Sequence, residues 1–353
     1  MRRHVSLFAS FLTLATCAAP VKLPEAPVVT VPAVPAWSID SSASNLAEQS
    51  CPTGTAAIAP AGIAVKADPV PFGPPEEVAK RLPEGVTFAG GWHLTSDNAS
   101  FGGLSGLAID GQAGLLTVSD EGAFVWLGLT DGKPDGTGKI AYVLGADGGQ
   151  LHGKALADSE GLSVRDGLAI VSFERTNRVS AFALDACGAA AREARIAALP
   201  DTVAGRTIDE NRGAEAMTVT PAGIVRFGYE TVESGDSPLG AVIGPDESGW
   251  TGETAHNPAG YAFVGLDSVE QDGKEETYWL FRSYDPIRGS RNVIRWDNKE
   301  IVMTAPMTVD NFEGIAAQPM SNGATRLWIV SDDNFSDRQR TLLLAFDIAA
   351  PSE

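Results

Sequence analysis

Histidine and cysteine are scarce in this chain, with four of the first and three of the second among 353 residues. His93, His152 and His256 share no motif, and His4 lies in an N-terminal leader-like stretch. No CxxC pair and no His/Cys cluster occurs, which speaks against a structural zinc framework. A phosphate-cradling GxxxxGK[ST] loop and a dinucleotide fingerprint are both missing. Gly103-Leu104-Ser105-Gly106-Leu107 lacks the second glycine of a G-x-S-x-G elbow at the right offset, and no helical pattern follows it. A triad assembled only in space stays open. Basic residues are few, 26 against 45 acidic ones, for a formal charge of −19. That balance argues against nucleic acid and anionic lipid as partners. Solubility accounts for it, and it is also compatible with cation binding.

The ends differ from the middle. Met1–His4 is basic, and Val5–Thr16 is apolar but too short to span a bilayer. This reads as a signal peptide over residues 1–17. Leu14-Ala15-Thr16-Cys17 resembles a lipobox, with Thr16 where Gly, Ala or Ser is preferred. The alternative is cleavage after Ala19, which Pro20 disfavours. Export to the periplasm, or anchoring in the outer membrane by a lipid on Cys17, is the expectation, with no other membrane contact. Residues 20–75 hold 11 of the 22 prolines, so 18–85 is expected to be an extended linker without regular structure. A segment packed on the following domain and tied by Cys51 is the alternative. Once Cys17 is used, Cys51 and Cys187 remain, either paired or free.

From about 86 to 350 the chain repeats. Ser105-Gly106-Leu107, Glu160-Gly161-Leu162, Glu215-Ala216-Met217, Val264-Gly265-Leu266 and Glu313-Gly314-Ile315 follow one another at steps of 55, 55, 49 and 49 residues. Each is followed by a short apolar run such as Leu168–Phe173 or Leu327–Ser331, and a third run often follows. Three or four strands per period of about 50 residues describe a propeller blade. The expectation is an all-β propeller of five to six blades, with 86–95 completing the last. Trp92, Trp126, Trp279, Trp296 and Trp328 are expected as core anchors.

Rotational repetition carries equal positions to equal radii, so Glu160, Glu215 and Glu313 are expected to converge on the axis. Asp120, Glu121, Glu174 and Asp332 end the second runs, and Asp158 precedes Glu160 by two residues. Hard cations such as Ca²⁺ take six to eight oxygens, which several blades can supply. Arg175, Arg282 and Arg340 stand beside these acids, and guanidinium grips carboxylate or phosphate. The plainer possibility is that the acids bond neighbouring backbone and hold the ring shut.

Phe101-Gly102-Gly103-Leu104-Ser105-Gly106, Ser119-Asp120-Glu121-Gly122, Asp158-Ser159-Glu160-Gly161, Ser172-Phe173-Glu174-Arg175, Asn311-Phe312-Glu313-Gly314 and Ser331-Asp332-Asp333-Asn334 together resemble the phytase-like domain, also called "esterase-like activity of phytase". The resemblance spans about 88–348. It departs at Ala216-Met217 and at Val264, which replaces the acid, leaving blades one, two, three and five for a cation site. The resemblance implies a propeller that hydrolyses phosphoric or carboxylic esters. The expectation is then a monomeric Ca²⁺-dependent hydrolase of small phosphate esters. Glu160, Glu215, Glu313, Asp120, Glu121 and Asp332 are candidate metal ligands, Glu174 the base, and Arg175, Arg282 and Arg340 the phosphate clamp. A non-catalytic envelope scaffold and a metal-dependent lactonase or carboxylesterase are the alternatives.

Overall fold

The computed structural model describes residues 37–111, 114–203, 206–209, 212–230 and 236–350. The signal-like segment and the prolines from 20 to 35 lie outside them. Five antiparallel sheets stand around one axis as the blades of a propeller. Their innermost strands are Leu104–Asp110, Ser159–Arg165, Ala216–Val219, Ala262–Gln271 and Phe312–Pro319, in blades I to V. Each inner strand packs against the inner strands of the two neighbouring blades, and blade V returns to blade I. Three further strands run outward in every blade. In blade V the fourth is Val86–Thr95, paired with Leu342–Ile348 in the register Leu342↔His93 to Ile348↔Val86. Both ends of the domain therefore share one sheet, which leaves the ring without a free edge between first and last blades.

Middle strands such as Leu168–Phe173 are buried at every position, because a neighbouring blade covers each face. Five apolar clusters fill the five blade interfaces. Phe124, Phe173 and Phe182 lie between blades I and II, Ile170 and Phe227 between II and III, and Phe263 and Phe281 between III and IV. Tyr278, Trp296 and Phe312 join IV to V, and Trp92 with Trp328 joins V to I. Trp92, Trp296 and Trp328 are thus buried anchors, while Trp126 and Trp279 are half-buried.

The repeated glycine has a packing reason. A Cβ on Gly106 would stand 2.5 Å from the Glu160 carbonyl oxygen, one on Gly161 3.0 Å from that of Glu215, one on Gly265 2.5 Å from that of Glu313, and one on Gly314 2.7 Å from that of Ser105. At four of the five seams the backbone of one blade's first motif residue thus presses on the preceding blade's glycine; blade III has Ala216 in that place. The sheet register also slips at the motif, between Leu104 and Gly106, Ser159 and Leu162, Phe263 and Gly265, and Phe312 and Gly314. Such a bulge re-aims a side chain out of the ladder, here Ser105, Glu160, Val264 and Glu313.

Residues 37–85 correct the linker expectation. Ser38 caps a helix, Ile39–Ser50, whose Ile39 and Leu46 are buried on the seam between blades II and III. Ala61–Ala64 adds a fifth strand to blade I and Lys66–Pro69 one to blade V. Cys51 and Cys187 form a disulfide, their Cα atoms 5.7 Å apart. The packed alternative holds because the prolines spare residues 36–51, enough for three helical turns.

Gly106→Ala is expected to destabilise the protein by roughly 1–3 kcal/mol, because the new methyl meets backbone that cannot step aside. Gly62→Ala, with open space around it, is expected to be near neutral. Urea unfolding of both variants checks the contrast, and equal stabilities would refute the packing role of the motif glycine.

Candidate functional site

Inner strands begin, and second strands end, at the same end of the axis. There the sheets hold two concentric rings of side chains. The inner ring is the first motif residue of each blade, Ser105, Glu160, Glu215, Val264 and Glu313. The three glutamates line an axial cavity of about 10 Å³ together with Gly106, Gly161, Gly265 and Gly314. That is room for about one water, so a larger ligand can sit only at the mouth.

The second ring is set by a repeated backbone bond. The N–H of Asp120 donates to the carbonyl of Gly103 (2.9 Å), that of Glu174 to Asp158 (2.8 Å), that of Glu230 to Gly213 (3.3 Å) and that of Asp332 to Asn311 (3.0 Å). Each acceptor lies two residues before the motif. In blade IV the residue two before Val264 is Ala262, and its ladder partner is Arg282. Blade IV, whose motif begins with Val264, thus places an arginine where the other four place an acid.

Arg282 is the counter-charge of one half of the centre. It bonds Glu313 and Asn311 (2.8 Å) through Nη1, and Glu230 (2.9 Å) through Nη2, with Glu215 at 3.8 Å. Burial opposes its charge, but Glu313, Glu215 and Glu230 raise its pKa further. Asn311 Nδ2 also donates to Glu313 (2.9 Å) and Asp332 (3.4 Å).

The other half gathers around Asp158. Lys154 donates to Asp120 (2.6 Å) and stands 3.6 Å from Asp158, and Arg175 Nε donates to Asp158 (2.7 Å). Glu174 accepts from the Gly213 N–H at 2.7 Å. Asp158, Glu160 and Glu174 each offer one carboxylate oxygen within 4.8 Å of the others, a set that can hold a metal ion. Buried oxygens of Asp120, Asp158 and Glu215 accept no hydrogen bond, so they retain lone pairs for a cation or a donor.

Burial dominates the electrostatics. It pushes the Glu160 pKa well above the usual carboxylate range, and Glu215, Glu313, Asp158 and Glu174 add to it. Glu215 is raised likewise by burial and Glu230, and Glu313 by burial against the opposing pull of Arg282. Burial lifts Glu174 to about 7 even though the Gly213 amide favours its anion. Asp332 reaches about 8 through burial, Glu313 and Asp120.

The candidates named from sequence divide accordingly. Glu160, Glu215, Glu313, Asp120, Glu174 and Asp332 come together, with Arg175 beside them. Glu121 is exposed next to Asp120. Arg282 is engaged by three glutamates, and Arg340 stands outward on Asp310 (3.1 Å) and the Val309 carbonyl (3.2 Å). Asp158, Lys154, Glu230 and Asn311 join the centre without having been assigned a role. The two-residue offset of Asp158 and Asn311 from the motif was their available signal.

The two halves respond differently to charge removal. In chelator, Glu160→Gln is expected to melt at or above the wild-type temperature, because repulsion among buried carboxylates is relieved. Glu313→Gln removes a partner from Arg282 and is expected to cost roughly 1–3 kcal/mol, with or without Ca²⁺. Thermal melts in both buffers decide it, and two variants shifted alike would contradict the division.

A pH dependence also follows. Unfolded carboxylates titrate near about 4, whereas Glu174 and Asp332 hold their protons to about 7 and about 8 in the fold. Across that window the folded state binds more protons than the unfolded one, so stability without cation falls as pH rises from about 4 to 8. Melting in chelator at stepped pH is expected to show this decline, lessened by Ca²⁺. A flat or rising profile would remove the charge-crowding account.

A comparison with curated proteins returned no match. Among solved structures, the PQQ-bound aldose sugar dehydrogenase of Streptomyces coelicolor is 11% identical, with TM-score 0.40, covering 75% of this chain and 99% of that one. A Trichoderma reesei carbohydrate-active enzyme of family AA12 is 11% identical, with TM-score 0.40, covering 83% and 99%. The endo-arabinase of Bacteroides thetaiotaomicron is 10% identical, with TM-score 0.39, covering 70% and 94%. Likeness this slight carries no inference about activity. The chain is a five-bladed propeller of which residues 99–242, from the approach to blade I into the third strand of blade III, are similar to the family model Phytase-like, esterase-like activity of phytase.

Proposed function

We propose that this protein is an exported Ca²⁺-dependent hydrolase of phosphate esters, acting at the acid-bearing mouth of the axis. The observation that carries the reading is the convergence of Asp158, Glu160 and Glu174 within 4.8 Å, beside buried carboxylate oxygens that accept no hydrogen bond. Hard, oxygen-only donors from two elements suit Ca²⁺, and Asp120 stands next to them through Lys154. A cation bound there would polarise a phosphoryl oxygen and lower the pKa of a bound water.

The chain's own groups supply the rest. Glu174 is the proposed general base; burial raises its proton affinity, and a cation held beside it would lower that affinity again. The Gly213 amide fixes its Oε1 and leaves the other oxygen to face a nucleophile. Arg175 is held by Asp158 in a left-handed backbone conformation, φ 57, at the edge of the set, where it can meet phosphate. Arg282 is occupied by glutamates, so its proposed duty is to keep the far half of the ring assembled rather than to clamp substrate. The Cys51–Cys187 disulfide is consistent with an oxidising, extracytoplasmic setting.

Metal analysis of protein purified without chelator, followed by assays on p-nitrophenyl phosphate and p-nitrophenyl acetate, tests the proposal. Phosphate release that needs Ca²⁺ and drops about 10²–10⁴-fold in Glu174→Gln is expected. Acetate release alone would move the reading to a carboxylesterase or lactonase. No turnover of either, with Ca²⁺ bound, would leave a ligand-binding propeller.

A further inference from the structure

The phosphate-ester reading leaves the organic part of the substrate unassigned, and the face around the acid rings bears on it. Among the described residues the exposed large apolar or aromatic side chains are Ile58, Tyr142, Leu156, Tyr284, Ile287 and Phe335. All but Ile58 lie at the acid-bearing end of the axis. Tyr142 ends the fourth strand of blade I opposite Ala123, and Leu156 sits in the short helix before Asp158. Tyr284 and Ile287 tip the hairpin that overruns Arg282, and Phe335 follows Asp332-Asp333. Exposed apolar side chains gathered on one face mark a contact surface.

Phe335 lies nearest the carboxylates. Asn334 and Phe335 have φ of 49 and 48, and the remaining non-glycine residues with positive φ among the described residues are turn aspartates and Arg175. A bulky residue in this region is strained, and strain persists only where its surroundings over-determine it. Here they do. Asp333 Oδ1 accepts from the amides of Phe335 (3.0 Å) and Gly103 (2.9 Å), and its Oδ2 accepts from Thr341 Oγ1 (2.8 Å). Asp332 Oδ1 accepts from the Asn334 amide at 2.6 Å.

Two glycines make room for the ring. A Cβ on Gly102 would lie 3.0 Å from Phe335 Cε1, and one on Gly103 would lie 2.6 Å from Cε2 and collide with Asp120 Oδ1 as well. Ring and carboxylate are therefore neighbours. That Asp120 oxygen is buried without a hydrogen-bond partner, while Phe335 remains 43% exposed. A strained loop thus holds an aromatic ring half open at the edge of the acidic centre, where folding alone would bury it.

We propose that Phe335 is a specificity-determining wall that stacks on the substrate, which is accordingly the phosphate ester of an aromatic alcohol. The proposal takes the phosphate half of the substrate from the hydrolase reading and only the aromatic half from Phe335. Ligands that are not turned over separate the two. In Ca²⁺, 1-naphthylmethylphosphonate is expected to bind wild-type protein about tenfold more tightly than methylphosphonate, equivalent to about 1.4 kcal/mol. Phe335→Ala is expected to erase that ratio and Phe335→Trp to keep it, with circular dichroism confirming that both variants fold. In turnover, the kcat/KM ratio of 1-naphthyl phosphate to glycerol phosphate is expected to fall about tenfold in Phe335→Ala, mainly through KM. Equal binding of the two phosphonates by wild type, or an unchanged ratio in Phe335→Ala, overturns the wall. If the binding pattern holds while wild type hydrolyses no phosphate ester, the wall stands and the hydrolase reading falls.

Discussion

Arg282 is the interaction on which the centre of this molecule depends. Five-fold repetition lines a cavity that holds about one water with Glu160, Glu215 and Glu313 and sets Asp120, Glu174, Glu230 and Asp332 in a second ring outside it. Carboxylates so close and so dry repel one another, and either protons, bound cations or basic side chains must offset them. One guanidinium reaches three of the seven, Glu313, Glu230 and Glu215. It comes from the one blade whose inner motif residue is Val264, so the missing acid and the added arginine are a single local solution. The remaining half has Lys154 and Arg175 at its edge. Asp158, Glu160 and Glu174 have the stronger need for a further positive charge, which is why the metal reading settles on them.

The ring geometry turns a sequence repeat into this electrostatic problem. The motif's glycine admits the neighbouring backbone, and the bulge beside it throws the preceding side chain toward the axis. Blade III already carries Ala216 in this place; at the four glycines only a wider ring would admit a methyl, and it would hold the acids farther apart. Close packing of inner strands and crowding of charge are therefore the same structural decision.

Much of this was legible in the residues because a repeat leaves its period in the chain. Steps of 55 and 49 residues between glycine-marked motifs lead to blades, and equal position in each blade leads to convergence of Glu160, Glu215 and Glu313. The five-blade count required the strand pairing of Val86–Thr95 to be seen. Roles that depend on partners were less visible. An arginine beside acids reads equally as a clamp for phosphate and as a brace for carboxylates, and only the contacts of Arg282 and Arg340 distinguish these. Residues 37–85 were obscured by averaging, since proline density over 20–75 hides the proline-free stretch that forms the helix Ile39–Ser50. Phe335 carries no sequence signal, because a left-handed backbone at a phenylalanine contradicts local preference and is imposed by Asp333 and two distant glycines.

The shared last blade also sets the order in which the centre can come into being. Val86 pairs with Ile348, so a strand that emerges early from a ribosome or a translocation pore waits for nearly the whole domain before its partner arrives. Until then its hydrogen-bonding edge is open, and such distant pairing slows folding. Glu313 and Asp332 lie in that same final blade. A growing chain therefore exposes Asp158, Glu160 and Glu174 of the second blade early, but the full ring of acids is brought together only when the sequence is nearly complete.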